Sequence, residues 1–220
     1  MMEVTSFAAT IDHTNLKPEA TRDDIAMLCA EADKHRFAAV CINPWHVPYA
    51  ARLLEESTVK VAVVAGFPLG ATTTATKAFE AGEAVQNGAR EVDLVINVAA
   101  LKEGRARMVG EEISRVRASI EGAYLKVILE TALLEAEEKR LAARIAADCG
   151  ADMLKTSTGF FGGATEDDVA LLKEVAPHLG IKASGGIRDA EFALLLLAAG
   201  ATRLGTSSAV KIITELQDRR

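Results

Sequence analysis

Short apolar runs rich in β-branched residues alternate with longer amphipathic stretches along the whole chain, and few architectures accept that order. The runs fall at residues 8–13, 37–42, 59–66, 91–97, 124–130, 152–157, 180–184 and 202–206. Helix starts are written between them. Thr21 stands three residues before Asp24, and Thr165 three before Asp168, each a hydroxyl cap followed by a carboxylate and then an apolar face. Helix ends are marked too. Asn87-Gly88-Ala89, Cys149-Gly150-Ala151 and Ala199-Gly200-Ala201 each put a glycine between a helical stretch and the next strand, where a left-handed residue is expected.

Strand and helix in strict alternation call for a parallel sheet with right-handed crossovers. Eight units in 220 residues leave about 27 each, near the compact limit of a barrel usually built from about 250. An open doubly wound sheet would carry a glycine-rich turn after its first strand, and Asp12-His13-Thr14-Asn15 stands there instead. The expected fold is α/β, a single (β/α)8 TIM barrel over residues 1–220. No linker or composition shift marks a second domain.

With 50% hydrophobic and 25% charged residues, the chain has the material for a packed core and is too apolar for disorder. A formal charge of −6 and a pI near 5.3 argue against nucleic acid as a partner. Small anions stay open, because a few local donors hold a phosphate even on an acidic protein. No apolar run approaches a membrane span, and residues 1–10 lack the pattern of a secretory signal. Cys29, Cys41 and Cys149 form no CxxC pair and read as reduced thiols of a cytoplasmic protein, core filler in each case.

In a barrel the C-terminal ends of the strands share one cavity, so polar residues there are the ones to weigh. Three are hard to explain as packing. Asp93 interrupts the apolar run Val92 to Ile96, Lys155 follows Met153-Leu154, and Lys182 follows Ile181. Wherever alternation points them, such charges leave bulk water and need partners. One reading is a structural ion pair between Asp93 and a single lysine. The other uses the extra cation: desolvation and a neighbouring ammonium leave one amine neutral, and a neutral amine attacks a carbonyl. Lys126, alternating with Ile128 and Glu130, either joins this network or seals the barrel floor.

A second group forms an anion cradle. Ser184-Gly185-Gly186 closes the seventh strand, and Gly205-Thr206-Ser207-Ser208 closes the eighth and opens the last helix. Loops after strands seven and eight are the recurring phosphate site of this architecture, and adjacent glycines let backbone N–H groups approach a ligand. His13, His35, His46 and His178 lack zinc-ligand spacing, so no metal is expected. Glu111-Glu112 and residues 135–138 read as solvated helix faces. Trp45 and His46 read as packing at a helix start, and Thr72 to Thr74 as a helix cap.

Ordered motifs now add to this reading. They are Asp12-His13-Thr14 with Leu16-Lys17-Pro18, Gly66-Phe67-Pro68-Leu69-Gly70, Glu91 to Asn97 (EVDLVIN) and Leu125 to Thr131 (LKVILET). After these come Lys155-Thr156-Ser157-Thr158-Gly159-Phe160, Lys182 to Arg188 (KASGGIR) and Leu204 to Ser208. Over residues 8–212 the chain resembles the bacterial deoxyribose-phosphate aldolases. The resemblance implies a class I, metal-independent aldolase interconverting 2-deoxy-D-ribose 5-phosphate with D-glyceraldehyde 3-phosphate and acetaldehyde in deoxynucleoside breakdown. It implies no cofactor beyond a Schiff base on Lys155, with Lys182 and Asp93 in proton transfer. Which lysine is the nucleophile comes from the resemblance alone.

Asp12 would then orient Lys182. Gly185, Gly186, Gly205, Ser207 and Ser208 would hold the phosphate, and Thr158 would meet a substrate hydroxyl. The expected partners are small phosphosugar and aldehyde substrates and further copies of the chain, as a dimer or tetramer. Another Schiff-base aldolase, a phosphate-binding isomerase or an inactive phosphosugar-binding barrel are the alternatives. Two departures from the family pattern stand out. The loop Phe161-Gly162-Gly163-Ala164-Thr165 is one residue shorter than in related members, and the chain ends Gln217-Asp218-Arg219-Arg220 without a terminal tyrosine. Cys41, near the mouth, reads as core filler before it reads as a target for reactive aldehydes.

Overall fold

The computed structural model describes residues 3–218. The expectations for the chain ends, at Met1 and at Arg219-Arg220, lie outside the described residues. After a short helix α1 (Val4–Ala8) come β1 (Ile11–Asn15), α2 (Arg22–His35), β2 (Ala39–Ile42), α3 (Val47–Leu53), β3 (Lys60–Ala65), α4 (Thr74–Gln86) and β4 (Glu91–Val95). Then follow α5 (Val98–Lys102), α6 (Ala106–Ser119), β5 (Tyr124–Ile128), α7 (Ala136–Asp148), β6 (Met153–Lys155) and α8 (Glu166–Val175). The chain closes with β7 (Gly180–Ser184), α9 (Ala190–Ala198), β8 (Arg203–Thr206) and α10 (Ala209–Asp218). Each strand pairs in parallel with the next and β8 returns to β1, which makes a closed (β/α)8 barrel.

The signals read between the strands take physical form. Thr21 accepts from Asp24 N while the Asp24 carboxylate bonds back to Thr21 N, a complete capping box. Thr165 accepts from Asp168 N, and Thr73 from Thr76 N. Gly88, Gly150 and Gly200 all have positive φ where helices give way to strands. Several strands are shorter than their apolar runs. Residues 8–13 divide: Phe7 and Ala8 are buried on α1, and the strand starts only at Ile11. The fourth run ends early because Asn97 leaves the sheet to cap α5, accepting from Ala100 N. The fifth ends early because Glu130 turns left-handed, with φ 58°.

Alternation along the strands sorts the side chains into two layers. Val92, Leu94, Leu125, Val127, Leu154 and Ile181 join the main core, between sheet and helices. Asp93, Lys126, Lys155 and Lys182, at the opposite parity, face one another inside the barrel. There β2 and β3 contribute only Ala39, Cys41, Ala62 and Val64. Barrel interiors are usually packed with branched apolar side chains. Here lysine stems do much of the filling: a Cβ on Gly205 would stand 2.9 Å from Lys182 Cε and collide with Ser184 Oγ.

Two surface expectations need correction. Trp45 is 83% exposed rather than packed, because it sits in a single helical turn at residues 44–46 that projects from the β2–α3 connection, whereas His46 is buried. Glu112 is not on a solvated face. It turns inward at 2% exposure, pairs with the fully buried Lys77 at 2.8 Å and accepts from Asn97 N at 3.0 Å. Lys77 also donates to Val95 O at 2.8 Å, so the pair ties α4 and α6 to the end of β4, two residues past Asp93.

Burial lowers the Lys77 pKa and raises that of Glu112, and each partner only partly restores the other's charge. Lys77→Met is expected to destabilise the protein by about 3–5 kcal/mol in chemical denaturation, because it strands one buried carboxylate. Adding Glu112→Leu to the same chain is expected to recover much of that loss. A single variant within about 1 kcal/mol of wild type would show that water reaches the pair.

Among the described residues, no helix is long and apolar enough to cross a membrane.

Candidate active site

A column of charge runs along the barrel axis. Asp93, from the middle of β4, is its hub. Its Oδ2 accepts from Lys155 Nζ at 2.8 Å and Lys182 Nζ at 2.7 Å, and its Oδ1 accepts from Lys126 Nζ at 2.8 Å. Asp12, from β1, takes Lys182 at 2.5 Å and Lys126 at 3.1 Å. Strand register makes these meetings possible, since Asp93 is level with Lys126 and Lys155 is level with Lys182 on neighbouring strands. Lys126 therefore joins the network and also plugs the interior, fully buried.

Two members were absent from the sequence-based list. Arg203 donates to Asp12 Oδ1 at 2.7 Å, and Glu91 Oε2 lies 2.6 Å from Lys126 Nζ, an ionic approach without hydrogen-bond alignment. Both begin their strands, at the end of the barrel away from the cavity, so a search confined to strand ends passes over them. Parity was the available signal: Glu91 is two residues before Asp93, hence on the same side of the strand.

The environments of the three lysines differ. Lys126 contacts Asp12, Glu91 and Asp93, and although burial opposes its charge, these carboxylates hold its pKa well above the lysine range. For Lys182, burial likewise works against the charge, but Asp12 and Asp93 outweigh it and the pKa is raised. Lys155 contacts only Asp93. Burial, supported by the Lys182 ammonium, overcomes that one carboxylate and lowers its pKa. Asp93 responds in the opposite sense: burial would raise it, yet Lys126, Lys155 and Lys182 hold it well below the usual range. Asp12 is also lowered, against burial, by Lys126, Lys182 and Arg203.

Lys155 also faces a ligand-sized space. A cavity of about 210 Å³ is lined by Lys155, Thr158, Gly185, Gly186, Gly205 and Ser207, together with Ser184, Thr14 and others. Its lining shares Thr14, Leu16, Thr158, Gly159 and Ser207 with a wider cavity of about 560 Å³. Ser184 Oγ is buried without a hydrogen-bond partner. Gly185 and Gly186 have φ of 91° and 78°, a conformation open to glycine, and this bares their backbone toward the cavity. Ser208 is not among the lining residues. It instead precedes α10, accepting from Ile212 N through its carbonyl and donating its own N–H to Thr206 Oγ1.

The short loop after Phe160 packs directly on this cradle. Ala164 N donates to Gly185 O at 3.1 Å, and a Cβ on Gly163 would stand 2.8 Å from that oxygen. Phe160 meets Phe67 edge-on, with ring centroids 5.4 Å apart. Thr158 donates its hydroxyl to Glu130 Oε2 at 2.5 Å, so toward a ligand that hydroxyl is an acceptor. Cys41 faces the interior, its Sγ 3.9 Å from Asp93 Oδ2, and burial raises its pKa. It fills space beside the hub, and its thiol is not activated. Among the described residues no group of three or more His, Cys, Asp or Glu is arranged to hold a metal ion.

A (β/α)8 barrel with a buried amine of lowered basicity at the floor of a glycine-lined mouth is built for carbonyl chemistry on a small, anionic substrate. The chain belongs to the DeoC/LacD family of aldolases, whose model matches residues 7–211. It is 53% identical over 206 residues to the deoxyribose-phosphate aldolase of Brevibacillus brevis, covering 93% of each chain. To that of Halalkalibacterium halodurans it is 53% identical over 212 residues, covering 94% of this chain and 95% of the other. Among solved structures, the tetrameric deoxyribose phosphate aldolase of Aeropyrum pernix superposes with a TM-score of 0.91 at 34% identity, over 99% of this chain and 94% of that one.

Proposed function

We propose that the chain 1–220 is one catalytic domain that reversibly cleaves 2-deoxy-D-ribose 5-phosphate to D-glyceraldehyde 3-phosphate and acetaldehyde through a Schiff base on Lys155, without metal or cofactor. One observation carries the assignment: of the three axial lysines, Lys155 alone lines the cavity and has a single carboxylate partner. The neutral Lys155 amine attacks the C1 aldehyde. The Lys182 ammonium gives a proton to the departing hydroxyl, water leaves, and the iminium forms. The Asp93–Lys182 pair, through a water, takes the proton of the C3 hydroxyl. The C2–C3 bond breaks, its electron pair entering the iminium to give an enamine, and C3 becomes the aldehyde of the phosphorylated product. The enamine then takes a proton at C2 from the same pair, and water hydrolyses the second iminium to acetaldehyde and free Lys155.

Gly185, Gly186, Gly205 and Ser207 surround the phosphate in this pose, with Ser208 behind them at the start of α10. Thr158 accepts from a substrate hydroxyl. Asp12 fixes Lys182, and Lys126 fixes both aspartates. Proton transfers of this kind contribute about 10²–10⁴-fold. Three free thiols suit the reducing cytoplasm, and the A. pernix relative suggests assembly into a dimer or tetramer.

Borohydride reduction with acetaldehyde, in excess chelator, is expected to add about 28 mass units, the two carbons and four hydrogens of a reduced two-carbon imine, to the peptide bearing Lys155. Absence of an adduct there rejects the Schiff base, and an adduct on Lys182 exchanges the two roles.

A further inference from the structure

The axial column does not end at the site. Contacts of 3.5 Å or less join four basic groups, Lys126, Lys155, Lys182 and Arg203, to three carboxylates, Asp12, Glu91 and Asp93. Seven interacting groups inside a barrel titrate as a set, so the charge of each depends on all the others. With every group ionised the column carries one positive charge too many. Loss of one proton restores balance, and the proton least firmly held is on Lys155, which has the fewest carboxylates.

Arg203 stays charged at any accessible pH. It bonds to Asp12 and lies 3.5 Å from Glu91, and so occupies carboxylate charge that would otherwise serve the lysines. We propose that Arg203 and Glu91, at the end of the barrel remote from the cavity, act as positioning residues that set the ionisation of Lys155 in opposite senses. Arg203 favours the neutral amine and Glu91 the ammonium. Neither lines the mouth cavity.

The other charges around them are accounted for. Lys155 is faced by Asp93, Lys182, Cys41 and, from two residues beyond β5, Glu130. Arg203 is faced by Asp12, Glu91, Asp93 and Tyr124. Glu130 is turned to Thr158 and makes no ion pair with a basic group of the column, and burial keeps Cys41 a thiol, so neither belongs to the set joined at 3.5 Å or less. Charges several ångströms apart in a partly buried column interact by an amount equal to about one pH unit.

This inference assigns the reactive amine to Lys155, and so rests on the proposed function for its purpose but not for its measurement. The test is trace labelling of the intact protein with acetic anhydride across a pH series, reading the acetylated fraction of the Lys155 peptide by mass spectrometry. Arg203→Met is expected to move the Lys155 titration up by about one pH unit, so that labelling below the midpoint falls about tenfold. Arg203→Lys is expected to restore it. Glu91→Gln is expected to move it down, and Arg203→Met with Glu91→Gln to return it near wild type.

Unmoved titrations, or shifts of the same sign from Arg203→Met and Glu91→Gln, overturn the proposal. Should Arg203→Met fail to fold, Glu91→Gln alone decides, since no downward shift refutes it. Failure of borohydride trapping with these shifts intact would reject the Schiff base on Lys155 and leave the charge coupling standing.

Discussion

Lys155→Met is expected to lower kcat/KM for cleavage of 2-deoxy-D-ribose 5-phosphate by about 10⁴-fold or more, since it deletes the nucleophile of a covalent mechanism. The same variant is expected to be as stable as wild type or more so. A methionine fills nearly the volume of the lysine stem, and Asp93 keeps Lys126 and Lys182 as partners. The column is then left with three basic groups against three carboxylates. The sign follows from linkage. The folded pKa of Lys155 lies below the unfolded value, so its ionisation works against folding at low pH, and that cost fades as pH rises through the folded pKa and is gone above the unfolded value of about 10.4. The stability advantage of the variant is therefore greatest on the acid side and vanishes in alkali. Thermal melts across a pH series, run beside the activity assay, check both halves. Activity within tenfold of wild type would move the chemistry to another group.

Asp93, Lys155 and Lys182 could be picked out in the sequence because each interrupts an apolar, β-branched run, where an unpartnered charge is too costly to tolerate. Their convergence depended on register, which a sequence read strand by strand does not supply. Glu91 and Arg203 were hidden by position: at the start of a strand a charge looks like the polar edge of a turn. Glu112 was hidden by its neighbour, since Glu111-Glu112 reads as one acidic face although adjacent helical residues point about 100° apart and only one faces solvent. The glycine-rich ends of β7 and β8 were legible because turn chemistry is local. The direct packing of Gly163 on Gly185 was not, because it joins loops that only the closed barrel brings together.

Asp93→Asn is expected to separate bond formation to Lys155 from turnover. Asparagine keeps the shape of the hub but loses the charge that three lysines share, and removing one member of such a buried group costs about 3–5 kcal/mol at neutral pH. Because Asp93 has its folded pKa depressed, its stabilisation is present above the unfolded carboxylate pKa of about 3.9 and is lost as pH falls through the lower folded value. The deficit of the variant relative to wild type thus narrows in acid. Its lysines fare unequally. Lys126 keeps Asp12 and Glu91, Lys182 keeps Asp12, and Lys155 keeps no carboxylate within ion-pair reach. The excess positive charge grows from one to two, and Lys155 is the group that sheds a proton. Borohydride trapping of acetaldehyde on Lys155 is therefore expected to persist and to extend to lower pH, while kcat for cleavage falls about 10²–10⁴-fold for want of a competent proton carrier at C2 and the C3 hydroxyl. Equal loss of trapping and turnover in a folded variant would contradict this division, and would make Asp93 a group required to form the adduct rather than to use it.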